Sequence, residues 1–183
     1  AGLLTAVWFS SLIGAVMLFL AGNKRIFATK ADKLKFNTLQ SILPFVYAIV
    51  GGYVITWYST WILGFEYASF NKVALFVSLA IATFIFMIFA TLRWLKLPSI
   101  ILYVLMMFFS MAAVQLAPEM VPDFYRDYII SWLPLRFFVE GLKDVLFFTG
   151  NVFNEYGIVL VWILVVALVL VWIKNLVEKQ KAA

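Results

Sequence analysis

Residues 133–144 read LPLRFFVEGLKD, and the fold turns on how they are read. They place Arg136, Glu140, Lys143 and Asp144 in one short helix of a chain that is 66% apolar, only 13% charged and has a mean hydropathy of +1.04. On a wheel of 100° per residue the four charges share one arc of about 100°, opposite Leu135, Phe138, Val139, Leu142, Val145 and Leu146. The spacing pairs Arg136 with Glu140 at i,i+4 and Glu140 with Lys143 at i,i+3. Phe137, Phe148 and Gly141 fill the flanks, so the polar stripe is narrow. Such a helix suits neither open water nor bare lipid. It needs protein against one face and a partner or a wet cleft against the other.

Outward from this helix, residues 118–153 form one connection that is rich in aromatic and aliphatic side chains and poor in serine and glycine, unlike a linker. Long unstructured loops are uncommon in compact proteins. Pro122-Asp123 predicts a helix start capped by Asp123. Pro134 should end that helix, and a second runs from about 135 to 148, closed at Gly150-Asn151. Two arrangements fit: a helical hairpin dipping back into the outer leaflet, or an amphipathic helix flat on the membrane surface. Surface helices usually carry a basic polar face; this one is charge-balanced, which favours the hairpin.

The rest of the chain is membrane-like. Soluble domains are about 25% charged, and 13% cannot cover an ordinary wet surface. Five stretches have the roughly 20 apolar residues that cross about 30 Å of hydrocarbon: about 3–22, 39–63, 72–92, 98–117 and 156–173. The expected fold is therefore all-α and polytopic, one transmembrane domain over 1–183 with five spans and an outer hairpin at 118–153. Pro98 falls in the first turn of the fourth span, where a missing N–H costs nothing. Pro44 lies near the start of the second and is tolerable if neighbours satisfy the freed carbonyl.

Charge gives the sidedness. Lys24, Arg25, Lys30, Lys33, Lys35, Arg93, Lys96, Lys174, Lys179 and Lys181 follow spans one, three and five, against Asp32 and Glu178. The other two connections hold Lys72, Arg126, Arg136 and Lys143 against seven acids. The positive-inside rule puts the first group in the cytoplasm, the N-terminus outside and the C-terminus inside. The chain opens on Ala1 with no charged leader, so either the first span inserts N-out unaided or an earlier span and an extracellular segment precede it; the missing methionine favours the second.

Much chemistry is excluded. There is no cysteine for disulfides or thiolate metal sites, and no histidine as base or ligand. The span cores lack Asp, Glu, Lys and Arg, against carboxylate-relay transport and intramembrane proteolysis. Lysines beside apolar spans are not the basic patch of a solvated nucleic-acid binder. Enzymatic activity, cofactors and metals are not expected. Gln115 is the strongest polar group in a span core and reads as a packing hydrogen bond. Ser10, Ser11, Gly14 and Ala15, with Gly51-Gly52, mark close helix packing within the chain or between two copies. Trp57, Tyr58, Trp61 and Trp132 read as the outer aromatic belt, Trp94 and Trp172 as the inner. Phe84, Phe86, Phe89, Met106, Met107, Phe108, Phe109 and Met111 read as packing or lipid-facing.

Leu133-Pro134 followed by Gly141-Leu142-Lys143, in an outer hairpin before the last span, resembles the membrane domain of type-2 ABC exporters. More narrowly, PDFYRDYIISWLPLRFFVEGLKD resembles the C-terminal region of the phage infection protein (YhgE/Pip) family. The motif covers some 30 residues and the topology nearly the whole chain; Lys143 stands where exporters more often have arginine. The resemblance implies a large extracellular domain of the same chain before Ala1, a homodimer in a bacterial cell membrane, and export or presentation of an amphiphilic substrate. It makes Pro134, Arg136, Glu140, Gly141, Lys143 and Asp144 candidates for an outer gate. It also makes Lys24, Arg25, Lys30, Lys33 and Lys35, within 23–38, candidates for coupling to a separate ATPase subunit. Positive-inside contact with lipid headgroups explains that basic segment equally, and the chain has no Walker motif. A second class of function is a non-transporting scaffold or receptor, for phage adsorption or as a type VII secretion accessory.

Overall fold

The computed structural model describes residues 2–23, 29–62, 64, 66, 67, 69–147 and 151–177. It is all-helical, with no strand among the described residues. Seven α-helices follow in order: α1 (Gly2–Asn23), α2 (Lys30–Trp61), α3 (Phe70–Leu95), α4 (Ile100–Gln115), α5 (Asp123–Tyr128), α6 (Pro134–Phe147) and α7 (Glu155–Val177). Four of them, α1, α2, α3 and α7, are long and apolar enough to cross a membrane.

The bundle is built around α3. Its residues from Val73 to Leu92 are buried on nearly every side, whereas α1, α2 and α7 each bury one stripe and leave the rest exposed. The composition of α3 permits this. Ala74, Ser78, Ala82, Thr83 and Ala90 let neighbouring backbones approach, and Phe76, Phe84, Phe86 and Phe89 fill the gaps between them. On α1, Trp8 meets Phe84 edge-on at 5.3 Å, and Ser11 and Ala15 are fully buried. On α2, a Cβ at Gly52 would lie 2.0 Å from Ser78 Oγ and 2.8 Å from Ser78 N, so only glycine permits this crossing. The small residues of the first two spans thus serve packing within the chain. Along α7, Thr83 Oγ1 donates to the Leu160 carbonyl at 3.2 Å, Arg93 Nη2 donates to Asn175 Oδ1 at 2.6 Å, and Lys174 lies 5.2 Å over the Trp94 ring.

Two boundaries differ from expectation. The second helix begins at Lys30, not near 39, because Thr29 Oγ1 accepts from Asp32 N at 3.1 Å and caps it. Lys30, Lys33 and Lys35 are therefore on the first turns of α2, continuous with the apolar helix and not on a separate element; Lys24 and Arg25 lie outside the described residues. The helix runs through Pro44 without interruption. The fourth apolar stretch is a 3-10 turn at Leu97–Ser99 and a 16-residue helix. At 1.5 Å per residue α4 is about 24 Å long, short of the hydrocarbon thickness. Gln115, at its last turn, is exposed and makes no side-chain hydrogen bond among the described residues.

Two short helices, α5 and α6, follow α4 and make up the hairpin segment. α5 ends at Tyr128, a 3-10 turn spans Ile130–Trp132, and Pro134 starts α6, where its ring fits the first helical position. Asp123 does not cap α5; Pro122 holds the cap position, and Asp123 instead binds Arg126 at 2.6 Å. The closing residue Gly150 lies outside the described residues, as does the side chain of Trp132.

Candidate functional site

The hairpin is fixed to the bundle by the apolar face of α6. Leu135, Phe138, Leu142 and Val145 are buried, with Val139 and Leu146 half-buried. Phe138 stacks on Phe76 at 6.0 Å and meets Phe84 edge-on at 6.1 Å. Phe84 is about 21 Å along α3 from Phe70 at 1.5 Å per residue, so the hairpin tip reaches about halfway down the bundle. Gly141 is the closest approach: a Cβ there would lie 2.5 Å from Phe76 Cζ and 3.0 Å from Tyr156 Cβ. Its carbonyl accepts from Asn154 Nδ2 at 3.1 Å, and Asn154 Oδ1 accepts from Gly157 N at 2.8 Å. One asparagine thus caps α7 and ties α6 to it.

The opposite face of α6 borders a cleft of about 510 Å³. Its walls are Arg136, Val139, Glu140 and Lys143 of α6, Val121, Arg126, Asp127, Ile130, Ser131 and Leu133 of the descending arm, Ser110 of α4, and Leu116 just after it. Tyr125 holds the arm to α4 by donating from its hydroxyl to the Phe109 carbonyl at 2.8 Å. The charges are mostly matched. Arg126 bonds Asp123 at 2.6 Å and Asp127 at 3.2 Å, and these carboxylates, Asp127 foremost, hold its guanidinium more firmly protonated than usual. Lys143 pairs with Glu140 at 3.3 Å, as the i,i+3 spacing predicts. The predicted Arg136–Glu140 pair does not form. Arg136 Nη1 instead donates to the Ser131 carbonyl at 2.9 Å, because the turn before Pro134 leaves that oxygen without a helical partner.

Of the six candidate gate residues, the structure brings Arg136, Glu140 and Lys143 to the cleft. Pro134 and Gly141 are buried packing positions, and Asp144 is half-buried away from it. Ser110, Arg126, Asp127 and Ser131 complete its polar lining. Only the tertiary fold brings them there. No group of His, Cys, Asp or Glu suited to a metal ion occurs among the described residues.

Of the candidate coupling residues, Lys30, Lys33 and Lys35 stand at the start of α2 and line no part of this cleft, and Lys24 and Arg25 lie outside the described residues. Lys30 and Lys35 are exposed and Lys33 is half-buried on the first turns of α2. Comparison with protein-family models, curated proteins and solved structures finds no match for the chain.

Proposed function

We propose that the chain is the membrane domain of a type-2 exporter-like protein of the phage infection protein kind, working as a homodimer in a bacterial cell membrane. In this reading α4 joins the four long helices as a fifth, shortened span, and the hairpin enters from the outer face. The N-terminus is outside and the C-terminus cytoplasmic, following the lysine distribution. The cleft is the outer vestibule through which an amphiphilic substrate is exported or presented. The observation that carries the reading is this cleft, whose charged wall belongs to a helix that packs on Phe84, about halfway along α3. Charge at such depth is costly and is retained where it serves a pathway or a ligand. The energy source is a separate ATPase subunit docking near Lys30, Lys33 and Lys35.

A test is co-purification from the native membrane. The wild-type protein should bring down an ATP-hydrolysing subunit, and the triple variant Lys30→Glu, Lys33→Glu, Lys35→Glu should lose it while folding normally. If no ATPase accompanies either protein, the second reading takes over: a scaffold or receptor that does not transport. One feature favours that alternative. Beyond the hairpin tip Trp8, Phe84, Phe86 and Phe89 are fully buried and Tyr103 nearly so, leaving no polar continuation of the cleft among them.

A further inference from the structure

The cleft has one cation to spare. Arg126 is held by two carboxylates and Lys143 by Glu140, whereas Arg136 has no ion pair among the described residues. Its only hydrogen bond there is the one from Nη1 to Ser131; Nε and Nη2 have none. The side chain is half-buried, with its guanidinium carbon 6.0 Å from the Phe137 ring. A guanidinium left so at membrane depth demands an anion or water. With Asp123, which pairs with Arg126 just outside the lining, three carboxylates stand against the three cations, but they pair with Arg126 and Lys143 and leave Arg136 without one. The guanidinium fork matches two oxygens of a phosphate, and Lys143, two helical turns on, keeps ammonium protons beyond its contact with Glu140. Apart from Ser110 and Ser131, the remaining lining is apolar: Leu116, Val121, Ile130, Leu133 and Val139. A free inorganic anion would use only the charged wall. A phosphodiester headgroup carrying acyl chains would use both.

We infer that the cleft binds the phosphate of an anionic glycerophospholipid or an amphiphile of that class, with Arg136 as anchor and Lys143 as second cation. The inference rests on the proposed entry of the hairpin into the outer leaflet and names the chemistry of the site's ligand.

The test is retention of phosphatidylglycerol by the purified, delipidated protein in nonionic detergent, read as lipid phosphorus per chain. Wild type should retain one tightly held lipid. Arg136→Gln should weaken it roughly tenfold to a hundredfold, the range for a lost charge-assisted contact, and Arg136→Lys should recover part. Lys72→Gln, an exposed cation outside the cleft, should change nothing. Glu140→Gln, which frees Lys143, should tighten retention, and this holds the test open if Arg136→Gln does not fold. Diacylglycerol, with no phosphate, should not be retained. Equal retention by wild type and Arg136→Gln, or a fall with Glu140→Gln, overturns the inference. Full displacement by millimolar inorganic phosphate makes this a free-anion site and overturns it as well. Loss of lipid specificity with the hairpin still reachable from outside would sink the ligand alone; a hairpin reachable only from the cytoplasm would sink the functional reading.

Discussion

The two flanks of Phe84 are made of opposite materials. On one, Trp8, Phe84, Phe86, Phe89 and Tyr103 close a dry interior in which polar side chains are mostly spent on helix carbonyls, as when Tyr103 and Thr91 bond each other and both reach Met87. On the other, five charged side chains surround a cavity of about 510 Å³. A single helix, α6, separates the two environments: Phe138 and Leu135 face the packed aromatics, and Arg136, Glu140 and Lys143 face the cleft. The contrast shows how a largely apolar bundle carries charge away from the middles of its long helices. The charges arrive on a hairpin that brings its own apolar seal.

The packed side should be the less forgiving. Gly52→Val forces a side chain into the backbone of Ser78 and Ala74, and overpacking against backbone that cannot yield should cost about 3 kcal/mol or more. The expected outcome is little folded protein, measured by thermal denaturation in detergent. Gly141→Ala presses the Phe76 ring and Tyr156 at the seam between the two sides. It should cost about 1–3 kcal/mol and loosen the hairpin, read as faster hydrogen exchange in 134–147 than in α3. Asn154→Ala removes the cap of α7 and the tie to Gly141 and should cost about 1–2 kcal/mol. On the cleft side, Lys143→Gln breaks a pair in which both partners are more than a third exposed; its effect on melting should fall within about 0.5 kcal/mol. A cleft substitution as damaging as Gly52→Val would mean the charges hold the fold together, and the contrast would fail.

The periodic parts of the molecule were legible in the sequence. The wheel of 135–146 sets Leu135, Phe138, Leu142 and Val145 apart from Arg136, Glu140 and Lys143 as the structure does, though Val139 of its apolar arc borders the cleft and Asp144 of its charged arc does not; Pro134 marks the helix start because proline is restrictive wherever it stands. The central place of α3 was not legible from hydropathy, since α7 is as apolar yet mostly exposed. The usable signal was small residues on several faces, Ala74, Ser78, Ala82, Thr83 and Ala90, which only a surrounded helix needs. The early start of α2 is hidden from hydropathy because its first turns carry Lys30, Asp32, Lys33 and Lys35, although Thr29 and Asp32 spell a cap. Half of the cleft lay beyond sequence reasoning. Ser110 and Arg126 line one cleft where Tyr125 ties the arm to α4, a contact no local pattern encodes. Asn154, by contrast, stands three residues before Gly157 as N-caps do, and that signal was there to be read.

The account depends most on the hairpin and the basic start of α2 lying on opposite sides of the membrane. Because the chain has no cysteine, single cysteines at Glu119 in the hairpin and at Lys35 can be labelled with a membrane-impermeant maleimide in intact cells. Glu119→Cys should react at once, and Lys35→Cys only after permeabilisation. Reaction of both before permeabilisation, or of neither, would contradict the account.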